Sequence, residues 1–396
     1  MTYSDRLLTL TITYHPDTTR IGESASLGAV TEDMTFTIGR LTPEFSQRRE
    51  TPRGIEDSFI SRSGLSARVS NDSLIIDRNE SPIECWVEGK FVSETCMVPM
   101  WQLERGVQIL LSDRILLVAH FTSPKIGRGV SRGLIGCSDT IHMARTQAGM
   151  AASDDTPVLL VGEPGVGKSL LAGAIHTASA RGGGPLIQID LTAFEQGEML
   201  NELFAPHGAF SRADGGSLLI EGIDEAPLSV QGPLVSAIKD GTLDNPLTGD
   251  FGRVDVRLLF AVGTDLSHAV EEGYVLEALQ DVLPDPILLA PIRHRVEDVA
   301  PIFINFLTRE LRAVGNETVL QQGTLGKPLW LSPDFMGRLT RYYWPGNVDQ
   351  IVALAEAVAQ SSHEGLSLRI TESIAAMLSN ATAYVNDLGL SAPAAA

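Results

Sequence analysis

Residues 162–169 read GEPGVGKS, a glycine-rich run closing on a lysine and a hydroxyl. It fits the spacing G-x-x-x-x-G-K-[ST], and the chemistry asks for each of those residue types. Glycines let consecutive backbone N–H groups wrap an anion, and a helix starting at the lysine adds the positive end of its dipole. On this reading Gly162, Glu163, Pro164, Gly165, Val166, Gly167, Lys168, Ser169 and Leu170 cradle the phosphates of ATP. Lys168 reaches the outer phosphates, and Ser169 Oγ holds Mg²⁺. A second run, SLLIEG (217–222), looks like a buried strand delivering carboxylates. In a nucleotide-cleaving site such a strand ends with one acid for the metal and a second for the attacking water. Glu221 can serve the metal, although its carboxylate sits one methylene further out than an aspartate's. Gly222 stands where the hydrolytic base is expected and cannot act as one. Asp224 and Glu225 read as an acidic turn capping the helix that follows.

These groups need a scaffold, and the chain shows one. PVLLVG, PLIQID, SLLIE and VRLLFAVG are buried-strand runs that alternate with helical stretches such as SLLAGAIHTASA. That pattern specifies a parallel sheet covered by helices. After Pro291 only helical periodicity remains, in EDVAPIFINFLTRELRAV and NVDQIVALAEAVAQ. Before residue 122 the chain is a series of short β-rich runs (LTLTITY, MTFTIG, SARVS, DSLIID, CWVEGKFV, VQILL, RILLVAHF), as in an all-β sandwich. The expected division is a sandwich over 1–122, a Gly/Ser/basic linker over 123–134, and an α/β ATP-binding part over 135–291. A helical lid over 292–380 and a disordered tail over 381–396 complete it.

Composition bounds the function. The chain has 396 residues, 43% hydrophobic and 20% charged, as in a soluble multidomain protein. A formal net charge of −19 argues against general nucleic-acid binding, which needs clustered Lys and Arg. Cys85, Cys96 and Cys137 form neither a disulfide framework nor a metal-ligand pattern, which suits a reducing cytoplasm. No segment reads as a signal peptide or a membrane span, so a cytoplasmic protein without a membrane partner is expected.

From about Leu134 to Gln360 the chain resembles the AAA+ domain of bacterial sigma-54-dependent transcriptional activators. The matching stretches are VLLVGEPGVGKSLLAGAIH, NELFAPHGAF, ADGGSLLIEGIDEAPL, VDVRLLFAVGTDL, LLAPIRHRVEDV and YYWPGNV. The N-terminal part resembles a forkhead-associated (FHA) domain, a sandwich that reads phosphothreonine, through TIGR, FISR and VEGKFV. The implied fold is an FHA-like sandwich followed by an α/β P-loop AAA+ domain with a small helical lid. The implied phosphopeptide site is Arg40, Ser61 and Arg62.

Departures accompany the matches. The family's Asp-Glu pair is Glu221-Gly222 here, and its sensor Asn falls on Gly263, with Thr264 as a polar substitute. No Lys or Arg occurs from Leu258 to Ile292, where arginine fingers would lie, and Asp349 replaces the second sensor Arg. GAFSRA (208–213) replaces the sigma-54-contacting GAFTGA, and the returning arm of its hairpin is missing. No Lys or Arg follows Arg369, so direct DNA binding is not expected. In the sandwich, Gly64 takes the place of a His and Ile83 that of a binding-loop Asn. Two functions follow. One is an ATP-binding regulator or scaffold with impaired hydrolysis and a phosphorylated or acidic protein partner. The other is an active ATPase that remodels sigma-54 RNA polymerase. The resemblance also admits another AAA+ activator as a partner, and a homo-oligomer in keeping with the family's rings.

Overall fold

The computed structural model describes residues 6–47, 51–78, 81–123, 133–249, 251–263, 266–321, 329–362, 368–376 and 378. Most of the expected linker, the tail from 381 and Thr264 lie outside the described residues. Two compact units result, and they cut across the order of the chain. One takes the sandwich, Ile135–Asp139 and the chain from Ile292 onward; the other is built on Thr140–Pro291.

In the first unit, six- and four-stranded antiparallel sheets face each other. Strand Leu7–Tyr14 lies between Ser24–Ala29 and Ile115–Thr122. Its alternation puts Leu8, Leu10 and Ile12 into the core between the sheets. The other face of these strands is buried as well. Tyr14 and Leu116 join the core of a helical bundle formed by Val299–Ala313, Pro333–Arg341 and Asn347–Ser361. Asn347–Ser361 presents Ile351, Leu354, Ala355, Val358 and Ala359 at helical spacing to that core. Gln108 Nε2 donates to Gly337 O at 2.9 Å and also bonds Thr340 Oγ1. The bundle, read from sequence as the lid of the α/β part, thus shares a core with the sandwich.

The second unit carries a five-stranded parallel sheet. Its order is Leu186–Asp190, Ser217–Glu221, Arg257–Val262, Val158–Val161 and Ile287–Leu288. The central strands are apolar and buried on both faces, as helix-covered parallel sheets require. Their carboxyl ends deliver the loops that carry the candidate site. Among the described residues no helix is long and apolar enough to cross a membrane.

Candidate nucleotide site

Strand Val158–Val161 runs into the glycine-rich loop, and helix Lys168–Ala178 leaves it. Gly165 (φ +74°) and Gly167 (φ +105°) occupy the left-handed region, where a side chain would be strained. Gly167 caps the helix without a side-chain hydrogen bond, the arrangement that suits an anion at a helix N-terminus. A Cβ on Gly162 would come within 2.7 Å of Leu289 O, so this position admits glycine alone. Lys168 Nζ donates to Gly162 O at 2.7 Å and to Glu163 O at 3.1 Å, laying its ammonium across the loop. Ser169 Oγ donates to Glu221 Oε1 at 2.8 Å, although Ser169 is on the helix that follows Val158–Val161 and strand Arg257–Val262 lies between that strand and Ser217–Glu221. A hydroxyl and a carboxylate side by side are the hard oxygen donors that Mg²⁺ takes, so the residues present fit that ion.

Gly222 follows at φ +73°, its N–H donating to Ala261 O at 3.2 Å. A Cβ there would lie 2.6 Å from Thr192 Cγ2. Thr192 is itself pinned, its N–H and hydroxyl bonding Asp190 Oδ1 at 3.0 and 2.7 Å. The position where the sequence leads us to expect a base therefore lacks a carboxylate and also the backbone and room to accept one. Asp224 and Glu225 fall in a 3-10 turn, Ile223–Glu225. The next helix, Leu228–Asp240, starts from Pro227 without a side-chain cap bond. The expected acidic cap is not formed, because Ala226 and Pro227 intervene.

The GAF segment is equally altered. Residues Ala209–Arg212 form one helical turn, and Phe210 stacks on Phe204 with centroids 5.4 Å apart. Phe210 is only 5% exposed, within the core of the α/β unit.

Comparison with known proteins fits this geometry. Residues 134–284 match the family described as the sigma-54 interaction domain. The Psp operon transcriptional activator of Escherichia coli K12 is 31% identical over 243 residues, 56% of this chain and 70% of that protein. The chain belongs to the sigma-54 interaction domain family. It is also 31% identical over 250 residues to the anaerobic nitric oxide reductase transcription regulator NorR of Serratia proteamaculans, covering 58% of this chain. The match spans 47% of that regulator, and a similar one spans 49% of the regulatory protein LuxO of Vibrio cholerae, about half the length of each. In fold, the chain is similar to NtrX from Brucella abortus in complex with ADP. There the TM-score is 0.54 at 24% identity, over 66% of this chain and 57% of that one.

This sigma-54 interaction domain brings the glycine-rich loop and Glu221 together. Gly263 is exposed at the end of strand Arg257–Val262, and Asp349 is exposed in the first turn of Asn347–Ser361. In the sandwich, Arg40 Nε donates to Ile60 O at 2.6 Å and Nη2 bonds Ser58 O, which brings Arg40 against the Ser58–Arg62 loop. Ser61 Oγ accepts from Ser63 N–H at 3.1 Å, and Arg62 is exposed. Gly64 has no space for a side chain, because a Cβ would be 2.5 Å from Thr37 Cγ2 and 2.6 Å from Ile38 O. Ile83 is buried in the sandwich core.

Sequence reasoning missed Thr192, which crowds Gly222, and Asp298. Buried in the sandwich–bundle unit, Asp298 accepts from the N–H groups of Cys137 and Ser138 at 2.6 and 2.8 Å, and from Ser138 Oγ at 2.6 Å. The only signal for it was a carboxylate in HRVEDV and an N–H-rich GCS far away in sequence.

Proposed function

We propose that this protein is a cytoplasmic ATP-binding regulator whose nucleotide hydrolysis is impaired, and whose sandwich is an FHA-like reader of a phosphorylated or acidic partner protein. One observation carries the first half: Lys168, Ser169 and Glu221 are assembled, while Gly222 lies in a left-handed turn closed off by Thr192. Lys168 and the loop backbone would hold the phosphates; Ser169 Oγ and Glu221 would hold Mg²⁺. When bound, that ion supplies charge neutralisation at the outer phosphates. Loss of a general base costs roughly 10²–10⁴ in rate. Loss of an arginine finger costs roughly 10³–10⁵. Either leaves binding intact and turnover marginal. Support for the FHA-like reading comes from the two-sheet sandwich and from Arg40 bonding the loop that carries Ser61 and Arg62. Sigma-54 RNA polymerase, another AAA+ activator, or further copies of this chain are the assemblies this role would serve.

The test is ATP affinity and turnover measured on one preparation. Calorimetry should show Mg-ATP binding by the wild type and none by Lys168→Ala, with turnover near background in both. Robust wild-type hydrolysis would overturn this reading. It would favour an active ATPase acting on sigma-54 polymerase, the alternative that similarity to the Psp operon activator supports.

A further inference from the structure

The loop that carries Arg40 is tied to the helical bundle through the buried His15. His15 is 6% exposed and follows strand Leu7–Tyr14. Asp17 N–H donates to its Nδ1 at 2.9 Å, so Nε2 carries the ring proton and donates to Ile55 O at 3.1 Å. The backbone oxygen of His15 accepts from Trp330 Nε1 at 3.0 Å. Trp330 stacks on Tyr14 with centroids 5.0 Å apart, and Tyr14 OH donates to Leu331 O at 2.6 Å.

On the other side, Ile55 belongs to the packing of Arg40. Glu56 N–H donates to Arg40 O at 3.0 Å. Gly54 lies so close that a Cβ on it would be 2.5 Å from Arg40 O. The buried Arg20 fixes the same turn, donating to Ile55 O at 2.9 Å and to Gly54 O at 2.8 Å. A continuous path therefore runs from Trp330 through His15 and the Gly54–Glu56 turn to Arg40.

We propose that His15 is the positioning residue through which the helical bundle sets the order of the Arg40 loop. Docking of Trp330 holds His15, His15 holds Ile55, and the turn at Ile55 presents Arg40. An anion read by Arg40 would then strengthen bundle docking in return, because coupling between two sites is reciprocal. That consequence rests on the phosphate-reading role proposed above; the joint itself does not.

The experiment is amide hydrogen exchange on the full chain without ligand. It compares wild type, His15→Ala, Trp330→Phe and the double variant. The Trp330→Phe change keeps an aromatic ring against Tyr14 and removes the indole N–H. His15→Ala should speed exchange at Glu56, Phe59 and Ile60 about five- to tenfold, the effect of losing one buried hydrogen bond. Trp330→Phe should speed the same amides, and the double variant should add nothing beyond His15→Ala. Unchanged loop amides in Trp330→Phe, additive effects, or equal loosening of strand Ser73–Asp77 would each overturn the proposal. Failure of phosphopeptide binding alongside coupled exchange would refute the reader and leave the joint standing.

Discussion

Glu297→Gln should remove the alkaline loss of stability in the sandwich–bundle unit. Glu297 Oε1 lies 3.6 Å from His120 Nδ1. The other ring nitrogen of His120 pairs with Thr11 Oγ1 at 2.8 Å. Burial, and then the charges of Asp298 and Asp139, push the Glu297 carboxyl from 4.5 up to about 8; a backbone hydrogen bond and then Arg295 pull the other way. Burial lowers His120 from 6.5 to about 4, against a backbone hydrogen bond with Phe121 and then the charge of Asp298. The raised Glu297 contributes stability that is full below pH 4.5 and lost as pH climbs to about 8. The depressed His120 contributes stability that is full above pH 6.5 and lost as pH falls to about 4. Between 4.5 and 6.5 the two slopes oppose each other and the profile is flat. Above 6.5 only the Glu297 slope remains, about 1.4 kcal/mol per pH unit over roughly 1.5 units, or ~2 kcal/mol. Glutamine keeps the shape and cannot ionise. All four tryptophans (86, 101, 330 and 344) belong to this unit, so their fluorescence during urea unfolding reports on it. From about pH 6.5 to 8 the wild type should lose ~2 kcal/mol more than the variant. Parallel pH profiles would refute the buried neutral pair.

Gly222→Glu should not restore ATP turnover, and should destabilise the α/β unit by about 1–2 kcal/mol from the left-handed backbone alone; a rate rise in the single variant would show that Thr192 yields. Phe210→Ala should cost about 3–5 kcal/mol in thermal unfolding of that unit, where an exposed loop residue would cost almost nothing. With Phe210 buried, in vitro transcription with sigma-54 polymerase and this protein as sole activator should stay at background, and open complexes would refute that. Arg62→Ala leaves the loop bonds of Arg40 untouched and should weaken binding on a phosphothreonine peptide array by roughly 10–100-fold, the loss of a charge-assisted hydrogen bond; binding indifferent to phosphate would leave a plain docking sandwich.

The phosphate loop was legible because its chemistry is performed by consecutive backbone groups, so spacing in GEPGVGKS is spacing in space. Buried-strand runs announced the parallel sheet for a similar reason: burial on both faces needs local apolarity. Gly222 was visible as a missing base. That the position also refuses a carboxylate depends on Thr192, which the parallel pairing of Leu186–Asp190 with Ser217–Glu221 brings alongside. The alternation in LTLTITY marks a strand with two unlike faces. Only the tertiary structure covers the threonine face with a bundle whose helices begin beyond residue 290. Sequence alone thus marked the buried central strands, the long bundle helices and the glycine-rich loop, since each follows from neighbours along the chain. The fold decided what buries His120 beside Glu297, what ties Trp330 to His15 and what closes the space at Gly222. Those depend on desolvation and close packing between segments far apart in sequence, and no local pattern encodes them.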